Sequence, residues 1–250
     1  MLKRVACLLP GIFFCCIISF SQPARPSQRS VAGEPFPATD VNIHEYLKIF
    51  GDSSKNAAYR ITLCADVPNN EKPLQVFYQQ ETGHVFLILQ RIEETNDTIS
   101  RVFGFYPNGG MQTLFFKKTR SLIKDNSNRE HDVAISKTLL AEQFDTVVAK
   151  SIELAGRKYH MNKYNCYDYA IEVFNSAASG SSLPLTHVRF PFLFGMGGSP
   201  CSVYKDLEKL KRSNQQWEAS IVFGLMLAPI SAYMYPEISQ KGIANQRIMP

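Results

Sequence analysis

Two residues of this sequence could together carry out nucleophilic chemistry, Cys166 and His84. Cys166 is predicted at the first turn of a helix, where the partial positive charge of the helix terminus favours a thiolate over a thiol. A thiolate is a strong nucleophile, and an imidazole can accept the thiol proton near neutral pH. His84 begins a predicted strand, so the chain offers a thiol–imidazole pair if the fold brings this helix and this strand together.

The surrounding patterns predict the elements that must position the pair. Apolar residues at helical spacing predict a helix from Cys166 to about residue 177, and alternating residues predict a strand at 59–65 and a hairpin of strands 85–92 and 99–105. Residues 125–132 are polar and predict a loop, and residues 133–135 predict a short strand. Two further helices are predicted, at about 138–154 and 202–212. The fold class predicted is α+β, with an antiparallel sheet packed against helices.

A third group should orient the imidazole, as in catalytic triads generally. The second strand of the hairpin returns beside His84, so Tyr106 at its far end is the leading candidate. Asn165 could orient the ring or, like the Cys166 backbone N–H, stabilise an oxyanion. Weaker candidates for the orienting group are Gln90, Ser100 and the pair His131–Asp132.

Metal and cofactor sites are not predicted. The sequence has no C-x-x-C and no H-x-x-x-H motif, and no glycine-rich phosphate loop follows a strand. The formal net charge is +5, of which Lys3 and Arg4 supply two, and no basic stripe is interleaved with aromatic residues. Nucleic acid is therefore excluded as the expected partner.

The chain is predicted to be exported. Residues 1–21 have the form of a signal peptide, with Lys3 and Arg4 before an apolar run and small residues at a cleavage site; an N-terminal membrane anchor, or a lipid on Cys15 or Cys16, is the alternative. Residues 22–42 are a Pro-rich linker and 43–212 the predicted domain. The extension 213–250 contains an apolar segment, predicted as a buried strand or hydrophobic tail rather than a second membrane-associated span.

Cleavage of the signal changes the cysteine count. Cys7, Cys15 and Cys16 would be removed, and three cysteines would remain. An odd number in an exported protein leaves at least one thiol unpaired within the chain. The arrangement permits a Cys64–Cys201 disulfide with Cys166 free, although all three could instead be structural or paired between chains.

The order of the motifs resembles that of the circularly permuted papain-like families. Residues 83–86 (Gly-His-Val-Phe) lie on a strand, and residues 165–170 (Asn-Cys-Tyr-Asp-Tyr-Ala) follow on a helix about eighty residues later. These families include permuted NlpC-type cell-wall hydrolases and lecithin:retinol acyltransferase-like proteins, and residues 102–107 look like a strand end of their exported bacterial members. The resemblance covers about residues 58–178, with an extension to about 212.

The resemblance implies a function. Cys166 matches the nucleophile and His84 the base, while the strand after the histidine carries Ser100 and Tyr106 where the families usually have His, Asn or Gln. We expect an exported cysteine hydrolase of the amidase, endopeptidase or acyltransferase type, acting on peptidoglycan in the periplasm, cell envelope or extracellular space. The alternatives are a lipid acyltransferase or acyl hydrolase that uses the aromatic loop 190–194, and a non-catalytic envelope binding or structural module.

Overall fold

The computed structural model describes residues 38–51, 56–79, 81–109, 118–177, 182–190, 195–213 and 220–231. They belong to one unit of the chain, Pro35–Pro250. The predicted signal peptide, the linker as far as residue 37 and the end of the C-terminal extension from residue 232 lie outside the described residues.

Antiparallel strands occupy most of the first half of the described chain, and the longer helices follow them. The strands are β1 (Thr39–Asp40), β2 (Ala58–Asp66), β3 (His84–Ile92), β4 (Thr98–Asn108), β5 (Arg120–Asp125), β6 (Glu130–Leu139), β7 (His187–Arg189), β8 (Met196–Gly198) and β9 (Ile221–Leu227). The helices are α1 (Ile43–Leu47), α2 (Ala141–Ala155), α3 (Cys166–Ser176) and α4 (Pro200–Ser213), with a 3₁₀ turn at Lys48–Phe50. The predicted α+β class with an antiparallel sheet is confirmed.

The main sheet has seven strands in the order β1-β5-β4-β3-β2-β6-β9, and all neighbours are antiparallel. Strands β7 and β8 form a separate two-stranded sheet. His84 lies opposite Asp66 of β2, and two residues further along β3 Phe86 lies opposite Gly104 of β4. The start of β3 and the ends of β2 and β4 therefore meet at one end of the sheet.

The two faces of the sheet bury different side chains. One face and the helices form the main core, to which β3 contributes Val85, Leu87 and Leu89. The intervening residues Phe86 and Ile88 belong to a smaller apolar cluster on the opposite face. This alternation follows from the two-residue period of a strand. Each large side chain buried in this way contributes about 1.5–3 kcal/mol of transfer free energy, so the register of β3 is strongly fixed.

Helix α3 packs against β3, β4 and β2 through its apolar residues, which include Ala170, Val173 and Phe174. Its predicted extent is close to the observed one. The α3 helix is thus held firmly against the strand that begins with His84.

The sequence prediction for residues 125–139 is wrong in its element bounds. Residues 130–139 form one continuous strand, and the following helix begins only at Ala141. Strand β6 lies between β2 and β9, and the Thr62 and Ser136 hydroxyls are hydrogen-bonded across the β2–β6 pair at 2.8 Å. The backbone hydrogen bonds of β6 to its two neighbouring strands outweigh the helical residue pattern of 138–140, because tertiary context commonly overrides local propensity.

The sheet continues beyond both ends of the predicted 43–212 domain. Strand β1 pairs with β5, and β9 pairs with β6. In β9 Ile221 is buried, whereas Val222 and Leu225 are exposed, so this apolar segment is a strand with only partial burial. No helix among the described residues has the length and apolar character needed to cross a membrane.

Candidate active site

Cys166 occupies the first position of helix α3. Asn165 is the N-cap: its Oδ1 accepts the Tyr167 N–H at 2.8 Å, and Asp168 Oδ2 in turn accepts the Asn165 N–H at 2.9 Å. This reciprocal capping box fixes where the helix begins, and therefore which direction the Cys166 side chain takes.

The Asn165 side chain is committed to structural contacts. Its Nδ2 donates to the carbonyl oxygens of Met161 at 2.8 Å and Gly198 at 2.9 Å. An amide nitrogen carries two hydrogens, so neither remains for an oxyanion or for His84. The oxyanion or orienting role predicted for the Asn165 side chain is not supported by these contacts. The Cys166 backbone N–H remains a candidate donor, because the first N–H groups of a helix have no intrahelical acceptor.

His84 is the first residue of β3 and is buried. The preceding Gly83 has φ +72°, and a Cβ there would collide with the Asp66 carbonyl oxygen; glycine is therefore required for the close approach of β2 and β3. The imidazole stacks on the Tyr106 ring with 4.2 Å between ring centroids. Tyr106 thus holds the plane of the His84 ring, as a neighbour rather than as a hydrogen-bond partner.

Cys166 and His84 line the same cavity, which has a volume of about 240 Å³. Its wall combines residues from the end of the sheet, the start of α3 and the segments before α3 and α4. The lining residues are Thr82, Gly83, His84, Phe105, Tyr106, Pro107, Arg129, Tyr159, Met161, Asn165, Cys166, Phe190, Gly198 and Pro200. All four predicted site residues therefore lie around one cavity. Phe190 also lines it, while the other residues of the predicted aromatic loop, 191–194, lie outside the described residues.

Asn126 is a site residue that was not predicted from the sequence. Its Nδ2 donates to the Tyr106 hydroxyl at 2.5 Å. Its Oδ1 and His84 Nε2 are both buried without a hydrogen-bond partner in the described structure. Both atoms lie directly over Gly104, where an added Cβ would collide with each of them. Gly104 thus leaves room for the imidazole and the amide to approach each other, although no hydrogen bond joins these two atoms in the described structure.

A sequence signal for Asn126 was present in the turn that follows it. Asn128 has φ +58°, and the Arg129 N–H donates to the Asn126 carbonyl oxygen at 3.1 Å. Asparagine and serine in residues 126–128 are typical of a tight turn between strands. A short turn between two strands could therefore have been predicted where the sequence was interpreted as a loop, although β5 and β6 are not neighbours in the sheet.

Burial determines the ionisation of Cys166. Removal from water raises its pKa to about 11, and the charge of Asp168 acts in the same direction. The backbone N–H groups of Val85 and Tyr167 and the positive charge of Arg129 lower the pKa, but by less. The expected effect of the helix N-terminus is present and is outweighed by desolvation, so Cys166 is a neutral thiol near pH 7.

His84 is neutral as well. Burial holds its pKa well below 6.5, the positive charge of Arg129 lowers the pKa further, and the Asn126 side chain raises it. No direct hydrogen bond joins Cys166 to His84 among the described residues. A neutral imidazole can accept a proton, so this pair is suited to proton transfer during attack rather than to a preformed thiolate–imidazolium ion pair.

Arg129 brings a positive charge to the cavity wall. Its Nη2 donates to Asp66 Oδ2 at 2.7 Å. The same guanidinium acts electrostatically on Cys166, His84 and Tyr106. Arg129 was not predicted as a site residue, because its position beside the cavity depends on the β5–β6 turn.

The predicted Cys64–Cys201 disulfide is absent. Both residues are free and buried. Cys64 belongs to the apolar cluster on one face of the sheet, whereas α4 packs through Val203 and Leu207 on the other face. Cys201 Sγ instead contacts the Gln75 carbonyl oxygen at 3.3 Å. The described part of the chain contains no group of three or more His, Cys, Asp or Glu side chains that could hold a metal ion.

Comparison of the chain with protein-family models, with curated proteins and with solved structures gave no match in any of the three. The resemblance to the permuted papain-like families accordingly stays a prediction made from the motifs around His84 and Cys166.

Proposed function

We propose that this protein is a cysteine hydrolase or acyltransferase that attacks a carbonyl group with Cys166 and uses His84 as the general base. The observation that carries the proposal is the shared cavity: the thiol at the first turn of α3 and the imidazole at the first residue of β3 line one space of about 240 Å³. A nucleophile and a base around one cavity, with a third polar group beside the base, form the arrangement used in nucleophilic catalysis.

The first step forms an acyl-enzyme. His84 accepts the Cys166 proton as Sγ bonds to the carbonyl carbon, and the carbonyl π electrons move to oxygen. When the tetrahedral intermediate collapses, the bond to the leaving amine or alcohol breaks, and the imidazolium returns its proton to that group. In this proposal the Cys166 backbone N–H at the helix N-terminus stabilises the oxyanion.

The second step regenerates the thiol. His84 accepts a proton from water, or from an acceptor alcohol or amine, as that molecule attacks the thioester carbon. The carbon–sulfur bond then breaks, and the proton returns to sulfur. Water gives hydrolysis and another acceptor gives acyl transfer, so the arrangement of Cys166 and His84 is equally suited to both.

Asn126 and Tyr106 orient the base in this proposal. The Asn126 Oδ1 lies beside Nε2, so it favours the tautomer with the proton on that nitrogen. The Tyr106 ring stacks on the imidazole, and the Tyr106 hydroxyl accepts from Asn126 Nδ2. Asn126 thus supplies, from the β5–β6 turn, the polar group that was expected on the strand after the histidine.

A peptidoglycan amide is the substrate favoured by the proposed papain-like fold and by the predicted export of the chain. The cavity volume supports a compact substrate group over a long acyl chain, because pockets for drug-sized ligands are typically about 300–1,000 Å³. This argues against the lipid alternative, although Phe190 contributes an apolar surface to the wall.

A non-catalytic binding module on the same fold is the second candidate. The observation in its favour is the burial of Cys166, which is 9% exposed, together with the raised pKa of its thiol. A buried neutral thiol is less nucleophilic than an exposed one of ordinary pKa, so reactivity at Cys166 is the property that separates the two candidates.

Acylation by p-nitrophenyl acetate tests the proposal. We expect a burst of p-nitrophenol and an acetyl thioester that peptide mass mapping assigns to Cys166. His84→Ala should slow this acylation by about 10²–10⁴-fold, whereas the matched control His44→Ala, an exposed residue of α1, should leave it unchanged. An unacylated Cys166, or equal rates in wild type and His84→Ala, would refute the enzyme proposal and favour the binding module. Release of soluble fragments from purified peptidoglycan by wild type and not by Cys166→Ala would then test the substrate.

A further inference from the structure

The guanidinium of Arg129, which is paired with Asp66, has hydrogen-bond donors that the proposed mechanism does not use. A guanidinium carries five N–H donors, and the Asp66 carboxylate accepts from Nη2. Arg129 Nε is buried without a hydrogen-bond partner in the described structure, yet 31% of the side chain remains accessible. The Nε atom is closed to solvent, so an incoming acceptor would be bound by the accessible part of the guanidinium, which retains N–H donors beyond the one that Asp66 accepts.

The surroundings of Arg129 favour an anionic acceptor. The groups close enough to interact electrostatically with its guanidinium are Asp66, Tyr106, Cys166 and His84. Of these only Asp66 is charged at neutral pH, since burial raises the pKa values of Tyr106 and Cys166 and lowers that of His84. Much of the cavity wall is apolar, which strengthens a charge-assisted contact by excluding water.

We propose that Arg129, held in place by Asp66, binds a carboxylate of the substrate beside Cys166. The substrate class is then an acyl compound, such as a peptide, that carries a free carboxylate close to the carbonyl group under attack. The planar fork of a guanidinium matches the two oxygens of a carboxylate. This inference rests on the proposed function, because it assigns the carboxylate to the substrate of Cys166.

The size of the cavity agrees with this substrate class. About 240 Å³ corresponds to the volume of roughly eight water molecules at about 30 Å³ each. That space accommodates a carboxylate with a short side chain next to the reacting carbonyl. Arg129 would act as a specificity residue, in contact with the substrate and separate from the proton transfer between Cys166 and His84.

Two reagents of nearly equal shape test the inference. Iodoacetate carries a carboxylate and iodoacetamide a neutral amide, and both alkylate the same thiol. We expect the ratio of the Cys166 alkylation rates, iodoacetate over iodoacetamide, to be about ten- to hundredfold higher in wild type than in Arg129→Gln. Peptide mass mapping assigns the modification to Cys166, and acetate, but not acetamide, should protect Cys166 in wild type only.

Further variants keep the outcome interpretable. Arg129→Lys retains the charge without the fork and should keep only part of the preference. The double variant Asp66→Asn/Arg129→Gln removes the charge of both partners if Arg129→Gln does not fold, and it should also lack the preference. Arg91→Gln is the matched control: Arg91 is paired with Glu93 at 2.7 Å, lies about 23 Å along β3 from His84, and should behave as wild type.

The outcomes separate this inference from the proposed function. Alkylation of Cys166 without any preference for iodoacetate would overturn the Arg129 assignment and leave the thiol–imidazole proposal standing. Protection by inorganic phosphate and not by acetate would overturn the carboxylate as the recognised group. A Cys166 that neither reagent modifies would overturn both, since a cavity closed to these small molecules admits no substrate to the thiol.

Discussion

Gly104→Ala places one methyl group between the proposed base and its orienting residue. In the structure a Cβ at this position would collide with His84 Nε2 and Asn126 Oδ1. Both side chains are buried, and His84 is also stacked on Tyr106 at 4.2 Å. The imidazole therefore cannot keep both its position and its neighbours when the methyl group is present.

The expected cost to stability is modest. Overpacking a well-packed site costs about 1–3 kcal/mol, while alanine is favoured over glycine within a strand by about 0.5–1 kcal/mol. The net loss in the free energy of unfolding should thus be about 0–2.5 kcal/mol. The loss in activity should be larger, because displacement of the base removes about 10²–10⁴-fold in rate, equivalent to about 3–5 kcal/mol of barrier.

Urea denaturation and the p-nitrophenyl acetate burst measure the two effects separately. Gly156→Ala is the matched control, since a Cβ there would lie 3.7 Å from the Glu153 carbonyl oxygen, an ordinary contact. The control should fold and acylate as wild type does. A folded Gly104→Ala protein that acylates at the wild-type rate would show that the position of His84 over Gly104 has no role in the chemistry.

Three further predictions concern Cys166, Asn126 and His131. With a pKa of about 11 for Cys166, the thiolate fraction at pH 7 is about one in 10⁴, against about three in 100 for a free thiol of pKa about 8.5. The rate of Cys166 alkylation by iodoacetamide should therefore still rise with pH above 9, and a plateau below pH 8 would contradict the neutral thiol–imidazole pair. Asn126→Ala should slow acylation of Cys166 by at least about tenfold, since it removes the group that orients the base. Tyr106→Phe keeps the ring stacked on His84 and should slow acylation less; the reverse order would argue against Asn126 as the orienting residue. Burial lowers the pKa of His131 to about 4, below the unfolded value of about 6.5. As the pH is lowered from about 6.5 to 4, the free energy of unfolding should therefore fall by about 1.4 kcal/mol per pH unit on account of this residue. Plots of the free energy of unfolding against pH, measured by urea denaturation, should differ in slope between wild type and His131→Gln over that range, and equal slopes would contradict the burial effect.

The local sequence was sufficient to predict the elements that carry the two main site residues. Apolar spacing predicted the helix that begins at Cys166, and alternation predicted the hairpin of β3 and β4. One face of each of these segments is buried, so the spacing of the apolar residues directly predicts a helix or a strand. The polar β5–β6 turn and the register of β6 were not predicted, because pairing with β2 and β9 determines them.

Only the tertiary structure decided how the site is composed and charged. It placed Asn126 over Gly104 beside His84, and it brought Arg129 to the cavity of Cys166. These contacts join different strands and a helix, so no spacing along the chain reports them. The ionisation of Cys166 was decided in the same way: the helix N-terminus is visible in sequence and favours a thiolate, but desolvation depends on everything packed around the sulfur and raises its pKa instead.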